Sequence, residues 1–151
     1  MKIIKVSMEE VGLVTPLFDM YRVFYGQESD IKLAASFIEE RIINNDSIIF
    51  LVKDDQGLSI GFTQLYPCFS SVSAKRTWIL NDLFVVPKSR GLGVGKLLLN
   101  TAKEFAKSTH SKGIALETAH DNVGAQKLYE SLGYKRDSGF YSYYLSLNTE
   151  Q

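Results

Sequence analysis

Short apolar runs of two periods alternate along the chain. Lys2 to Val6 reads as a short strand, and Ser7 with Glu10 three positions on has capping-box spacing, which predicts a helix starting there. Val14, Leu17, Phe18 and Tyr21 give that helix an apolar face. Pro16 inside it removes a backbone hydrogen bond and predicts a kink. After the polar YGQESD, the residues Ile31, Ala34, Ala35, Ile38 and Ile42 recur at helical spacing behind a cap at Ser29 or Asp30. SIIFLVK (47–53) and LSIGFTQLY (58–66) are β-branched or alternating runs joined by DDQG, as in a hairpin. TWILNDLFVV (77–86) is a third such run and ends at Pro87. Helical period returns at Leu98, Ala102 and Phe105, followed by a strand at GIALETA (113–119) and a helix from Asn122 to about Leu132. Gly133 closes that helix as a left-handed cap. YKR and FYSYYLSL, around Asp137-Ser138-Gly139, form an expected final strand pair. The order is β-α-α-β-β-β-α-β-α-β-β: a mixed α/β sheet with helices on its faces, in one expected domain over 1–151.

Composition narrows the function more than the fold. Lys plus Arg equals Asp plus Glu at 17 each, so no field of one sign is available to hold a phosphate backbone or an anionic membrane. Nucleic acid and membrane partners are therefore not expected. Cys68 is the single cysteine, and with only His110 and His120 beside it no zinc-ligand set is expected. MKIIKVSMEEV lacks the apolar core of a signal peptide, and no run approaches the ~20 apolar residues of a membrane span. A cytoplasmic setting is the expectation.

The chemistry-bearing segment is SRGLGVGKLLL (89–99), glycines between a β-branched strand and the start of a helix. Backbone N–H groups can turn toward an anion there, and the helix dipole adds to the attraction. A P-loop would need Arg90 to be glycine and Leu97 to be Ser or Thr; a dinucleotide fingerprint begun at Gly91 and Gly93 would put its third glycine on Lys96. Arg90, Gly93 and Gly95 do fit R-x-x-G-x-G directly after LNDLFVV. In this the chain resembles the GNAT superfamily of acetyltransferases. Asn122 and Tyr129, seven residues apart and followed by LGY (132–134), extend the resemblance over roughly residues 78 to 134.

The resemblance implies a GNAT acyl-CoA N-acyltransferase fold and an acetyl-CoA-dependent N-acetyltransferase acting on an amine. It implies that the main chain at Arg90, Gly91, Leu92, Gly93, Val94, Gly95 and Lys96 holds the diphosphate of CoA, and that the backbone of Leu83, Phe84 and Val85 runs beside pantetheine. It further implies that Asn122 contacts the pantetheine or its neighbouring loop, while Tyr129 gives a proton to the departing thiolate. A phenol of pKa ~10 is protonated at neutral pH and able to do so. The plainer reading, Asn122 as a helix cap and Tyr129 as a core aromatic, stays open.

An alkylammonium acceptor must lose a proton before it attacks. Asp82, interrupting the apolar WILNDLFVV, is the leading candidate to take it, since an unpaired buried carboxylate is costly. Glu117, in the apolar strand 113–119, is the second; its alternative is a structural ion pair. Some similarity to polyamine acetyltransferases lies in Asp82, although Asn81 stands where that branch has a second acid. Glu28 and Asp30 fall in the region that covers the acceptor in GNAT proteins, and Tyr21, Arg22 and Tyr25 line the same entrance, with Tyr21 equally suited to core. A protein that binds acyl-CoA as a silent sensor or interaction module is the competing class. Tyr141, Tyr143, Leu145 and Leu147 share one side of the last strand, a face for core or for a second subunit; a homodimer is hypothesised from it.

Overall fold

The computed structural model describes residues 1–148, and the chain divides into two compact units, one of Met1–Glu117 and one beginning at Thr118. The first unit holds β1 (Lys2–Lys5), α1 (Val11–Phe24), α2 (Ile31–Ile43), β2 (Ile48–Lys53), β3 (Ser59–Ser70), β4 (Lys75–Val85), α3 (Val94–Ser108) and β5 (Ile114–Ala115). The strands form one five-stranded sheet in the order β1-β2-β3-β4-β5, antiparallel except for the parallel β4–β5 pair. This is the mixed α/β architecture that the alternating periods predict. No helix among the described residues is long and apolar enough to cross a membrane.

Each face of the sheet has its own apolar layer. On one, Val14, Leu17 and Phe18 of α1 and Ala34 and Ile38 of α2 pack with Ile49, Leu51, Phe62 and Phe84 of the strands. On the other, α3 packs on β2, β3 and β4: Phe105 meets Phe50 and Trp78 edge-on, at centroid distances of 5.7 and 5.1 Å. Gly61 on β3 is what lets α3 approach. A Cβ there would lie 2.8 Å from Val94 Cγ1 and 3.2 Å from the Phe84 carbonyl oxygen.

The capping box forms as expected, Glu10 Oε1 accepting from both Ser7 N–H and Ser7 Oγ at 2.8 Å. Its first turn, Met8–Glu10, is a 3-10 turn, and α1 proper begins at Val11. Asp30, not Ser29, caps α2 by accepting from Leu33 N–H. Ser29 instead donates to Asp19 Oδ2 at 2.6 Å, and Asp30 N–H donates to Asp19 Oδ1 at 2.8 Å, which ties the α1–α2 loop to α1.

Two expectations are corrected. The strand expected over 113–119 shrinks to Ile114–Ala115, because β5 pairs with β4 only at Trp78 and Ile79. The final strand pair does not form among the described residues. No strand is formed over 135–148, and Phe140, Tyr141, Tyr143, Tyr144, Leu145 and Leu147 are each more than 80% exposed. Alternation supplies a strand's faces but not its ladder, and backbone N–H and C=O groups become a strand only against a partner.

The second unit contains α4 (Val123–Ser131). Asn122 is its N-cap, the side-chain oxygen accepting from Ala125 N–H at 3.2 Å. Gly133, at φ +97°, ends it: Gly133 N–H donates to the Glu130 carbonyl and Tyr134 N–H to that of Tyr129, both at 3.1 Å. That double bond pattern is a Schellman cap of the kind the glycine predicts.

Candidate active site

The site of the first unit is organised by one extra residue in β4. Leu80 faces Leu65 and Asp82 faces Gln64, so Asn81 has no partner on β3 and forms a β-bulge. In an unbroken strand, residues of equal parity share a face. Yet Trp78 packs on Phe105 of α3, whereas Phe84 packs on Tyr21 and Phe24 of α1. The bulge makes that switch and turns Asp82 toward α1 and α2.

There Asp82 lines a cavity of about 340 Å³. Phe18, Leu33 and Phe37 give it apolar lining, Tyr21 and Tyr66 half-buried rings, and Arg22, Asn81 and Asp82 its polar groups. The volume lies in the range of small-molecule sites. Asp82 is 2% exposed; its carboxylate accepts from Gln64 Nε2 at 2.5 Å and Asn81 Nδ2 at 2.8 Å. Burial raises its pKa above the ordinary carboxylate value, against the opposing hydrogen bonds from Asn81, Gln64 and Tyr21. Tyr21 Oη donates to the Asn81 carbonyl at 3.2 Å. Burial, and after it the Asp82 charge, push the hydroxyls of both Tyr21 and Tyr66 upward, so each stays protonated as a donor.

Past the bulge, one edge of β4 lies open. No strand among the described residues pairs with β4 beyond Ile79 on the side away from β3, so Leu83, Phe84 and Val85 lie on a stretch of backbone with unladdered groups. Arg90 Nε donates to the Val85 carbonyl at 2.9 Å, and its guanidinium lies 5.8 and 5.7 Å from the ring centres of Phe24 and Phe84. The chain then turns through Gly91 (φ +80°) and Gly93 (φ +86°), both in the left-handed region, where glycine carries no Cβ penalty.

Gly93 is the N-cap of α3 and, lacking a side chain, caps nothing. The amides of Val94, Gly95 and Lys96 precede the first helical bond, Leu97 N–H to the Gly93 carbonyl at 3.0 Å, and so have no acceptor within the helix. A Cβ at Gly91 or Gly93 would meet nothing within 4 Å, so the turn is open to an approaching group. Free amides, a helix dipole, open space and the Arg90 charge fit a diphosphate. Leu92, 66% exposed, and Lys96 stand at the surface of the same turn.

The other candidates fall elsewhere. Tyr25 is 62% exposed and packs its ring on Tyr21 at 5.0 Å, while Glu28 is exposed in the loop that Asp19 anchors; neither lines the cavity. Glu117 is exposed beyond the end of β5, and so does not lie within a strand as expected. In the second unit, Asn122 is engaged as a cap, and Tyr129 is half-buried with its ring 5.9 Å from that of Tyr134. Among the described residues no group of three or more His, Cys, Asp or Glu could hold a metal ion. Gln64 and Tyr66 are the residues the pattern missed. Gln64 interrupts LSIGFTQLY as Asp82 interrupts WILNDLFVV, and pairing those two breaks across a hairpin was the available signal.

Comparison with known proteins gives the family. Residues 14–134 match the model of the acetyltransferase (GNAT) family. The chain is 46% identical over 147 residues to an uncharacterized N-acetyltransferase of Bacillus subtilis, covering 97% of this chain and 98% of that one. It is 31% identical over 135 residues to a "Probable acetyltransferase" of Haemophilus influenzae, covering 89% and 90%. A crystal structure of "a probable acetyltransferase" superposes with a TM-score of 0.93 at 41% identity, over 99% of this chain and 100% of the other. A "predicted acetyltransferase" of Clostridium acetobutylicum solved with acetyl-CoA shares the fold at a TM-score of 0.76 and 15% identity, over 95% of each chain. A bulged strand that runs from a buried acid into an uncapped helix start thus occurs in a chain that belongs to the GNAT family and is an acetyltransferase.

Proposed function

We propose that this protein transfers an acetyl group from acetyl-CoA directly to a primary amine, with both substrates bound together and no covalent enzyme intermediate. The observation that carries the proposal is the sequence of features along β4: a buried carboxylate in an aromatic-walled cavity, an open backbone edge, then a glycine turn into the start of α3.

Acetyl-CoA supplies an acyl group activated as a thioester. The amides at Val94, Gly95 and Lys96, with Arg90 beside them, hold its diphosphate, and the main chain of Leu83 to Val85 lies along the pantetheine. A free N–H on that edge stabilises negative charge developing on the thioester oxygen. Asp82 accepts a proton from the acceptor ammonium, and burial, which raises its pKa, makes it a stronger base than an ordinary carboxylate. Tyr21 and Tyr66, kept protonated, orient the amine from the cavity wall. For the second unit the reading rests on family resemblance: Asn122 at the pantetheine, and Tyr129 as the donor that protonates the leaving thiolate.

The test is to supply acetyl-CoA and a panel of primary amines and to follow release of the CoA thiol. Amine-dependent release is the expected result. Binding of acetyl-CoA with no release for any amine would instead support the silent sensor.

A further inference from the structure

Arg22 stands out among the residues of the cavity that Asp82 also lines. It lies on α1, and its Nη1 is shut off from solvent and has no hydrogen-bond partner. Asp19, whose pKa the Arg22 charge helps to lower after the hydrogen bonds from Ser29 and Asp30, accepts from those two groups. Arg22 takes part in no ion pair among the described residues. A buried guanidinium nitrogen without an acceptor is costly, and a ligand oxygen reaching it removes that cost.

We infer that Arg22 binds a carboxylate carried by the acceptor, so that the substrate is an amino acid with an apolar side chain, acetylated on its amine. This rests on the acetyltransferase reading above and names the acceptor within it. The two ends of a zwitterion match the two charged side chains that line the cavity, the carboxylate going to Arg22 and the ammonium to Asp82, and guanidinium suits a planar carboxylate. Phe18, Leu33, Phe37 and the Tyr66 ring receive the apolar side chain. A cavity of about 340 Å³ suits a molecule of this size. A polyamine would bring a second cation toward Arg22, which opposes the polyamine similarity carried by Asp82. The reaction balances: the ammonium gives up a proton, the nitrogen–acyl bond forms, the acyl–sulfur bond breaks, and the proton appears on the CoA thiol or in solvent.

The experiment compares matched pairs that differ only in the carboxylate, phenylalanine with phenethylamine and leucine with 3-methylbutylamine. Wild-type kcat/KM is expected to favour the acid of each pair by about tenfold or more, mostly through KM. Arg22→Met should cut that ratio by about tenfold or more, and Arg22→Lys, which keeps the charge without the planar fork, should restore part of it. Circular dichroism checks that both variants fold. Ligand-observed NMR gives an arm that needs no turnover: N-acetylphenylalanine should bind the wild type and bind Arg22→Met about tenfold more weakly. Equal kcat/KM within each pair, a ratio unmoved by Arg22→Met, or no binding of N-acetylphenylalanine to the wild type would each overturn the inference. Arg22-dependent binding of that product without turnover of any amine would keep the carboxylate site at Arg22 and refute the transfer reaction on which the choice of acceptor rests.

Discussion

At the scale of single residues, the chemistry turns on Asn81 and Asp82. The unpaired Asn81 shifts the strand by one position, and without that shift Asp82 would share the α3 face with Trp78. Burial then raises the Asp82 pKa, and the sign has two consequences. As a base, Asp82 works only when ionised, so kcat/KM should rise with pH along an acid limb displaced above the ordinary carboxylate range. Asp82→Asn should remove the limb and lower kcat/KM by ~10²–10⁴-fold; an unchanged limb in the variant would remove Asp82 from the role. For stability, the folded chain holds this proton more tightly than the unfolded one. The contribution is complete below the unfolded pKa and is lost as pH rises through the folded one. The stability of Asp82→Asn relative to wild type should therefore increase with pH across that window, as thermal melts at several pH values would read. The sequence exposed Asp82 because a carboxylate within an apolar run has few explanations. It could not expose the bulge, since nothing in WILNDLFVV marks which residue lacks a partner; Gln64 was legible only by pairing its break with that of Asp82 across the hairpin.

Elements meet where single side chains allow, and the contact of α3 with β3 depends on Gly61. Val94 is β-branched and buried, so its Cγ1 has little room to move from a new methyl group. Gly61→Ala is expected to destabilise the protein by about 1–3 kcal/mol, as overpacking does, and to lower the urea midpoint at unchanged slope. A midpoint equal to that of wild type would show that α3 shifts without cost. Most elements were legible because period, caps and turns agreed, as at Ser7 and Glu10 or at Gly133. The misses share a cause. Ile114–Ala115 and the FYSYYLSL stretch carry strand-like patterns whose outcome depends on a ladder partner, and a pattern along one segment does not specify its partner.

For the molecule as a whole, the two units carry different parts of the account. The first contains the cavity, the open edge of β4 and the glycine turn; the second contributes Asn122 and Tyr129 through family resemblance. The central claim is that free amides at the start of α3 hold the diphosphate of CoA, and calorimetry with CoA on the folded wild type and on Gly93→Val tests it most directly. At φ +86° a β-branched residue is strained, so the turn should lose its shape in the variant. The account predicts saturable binding to the wild type and at least ~10-fold weaker binding to Gly93→Val; no binding to the wild type, or equal affinity for both, would contradict it.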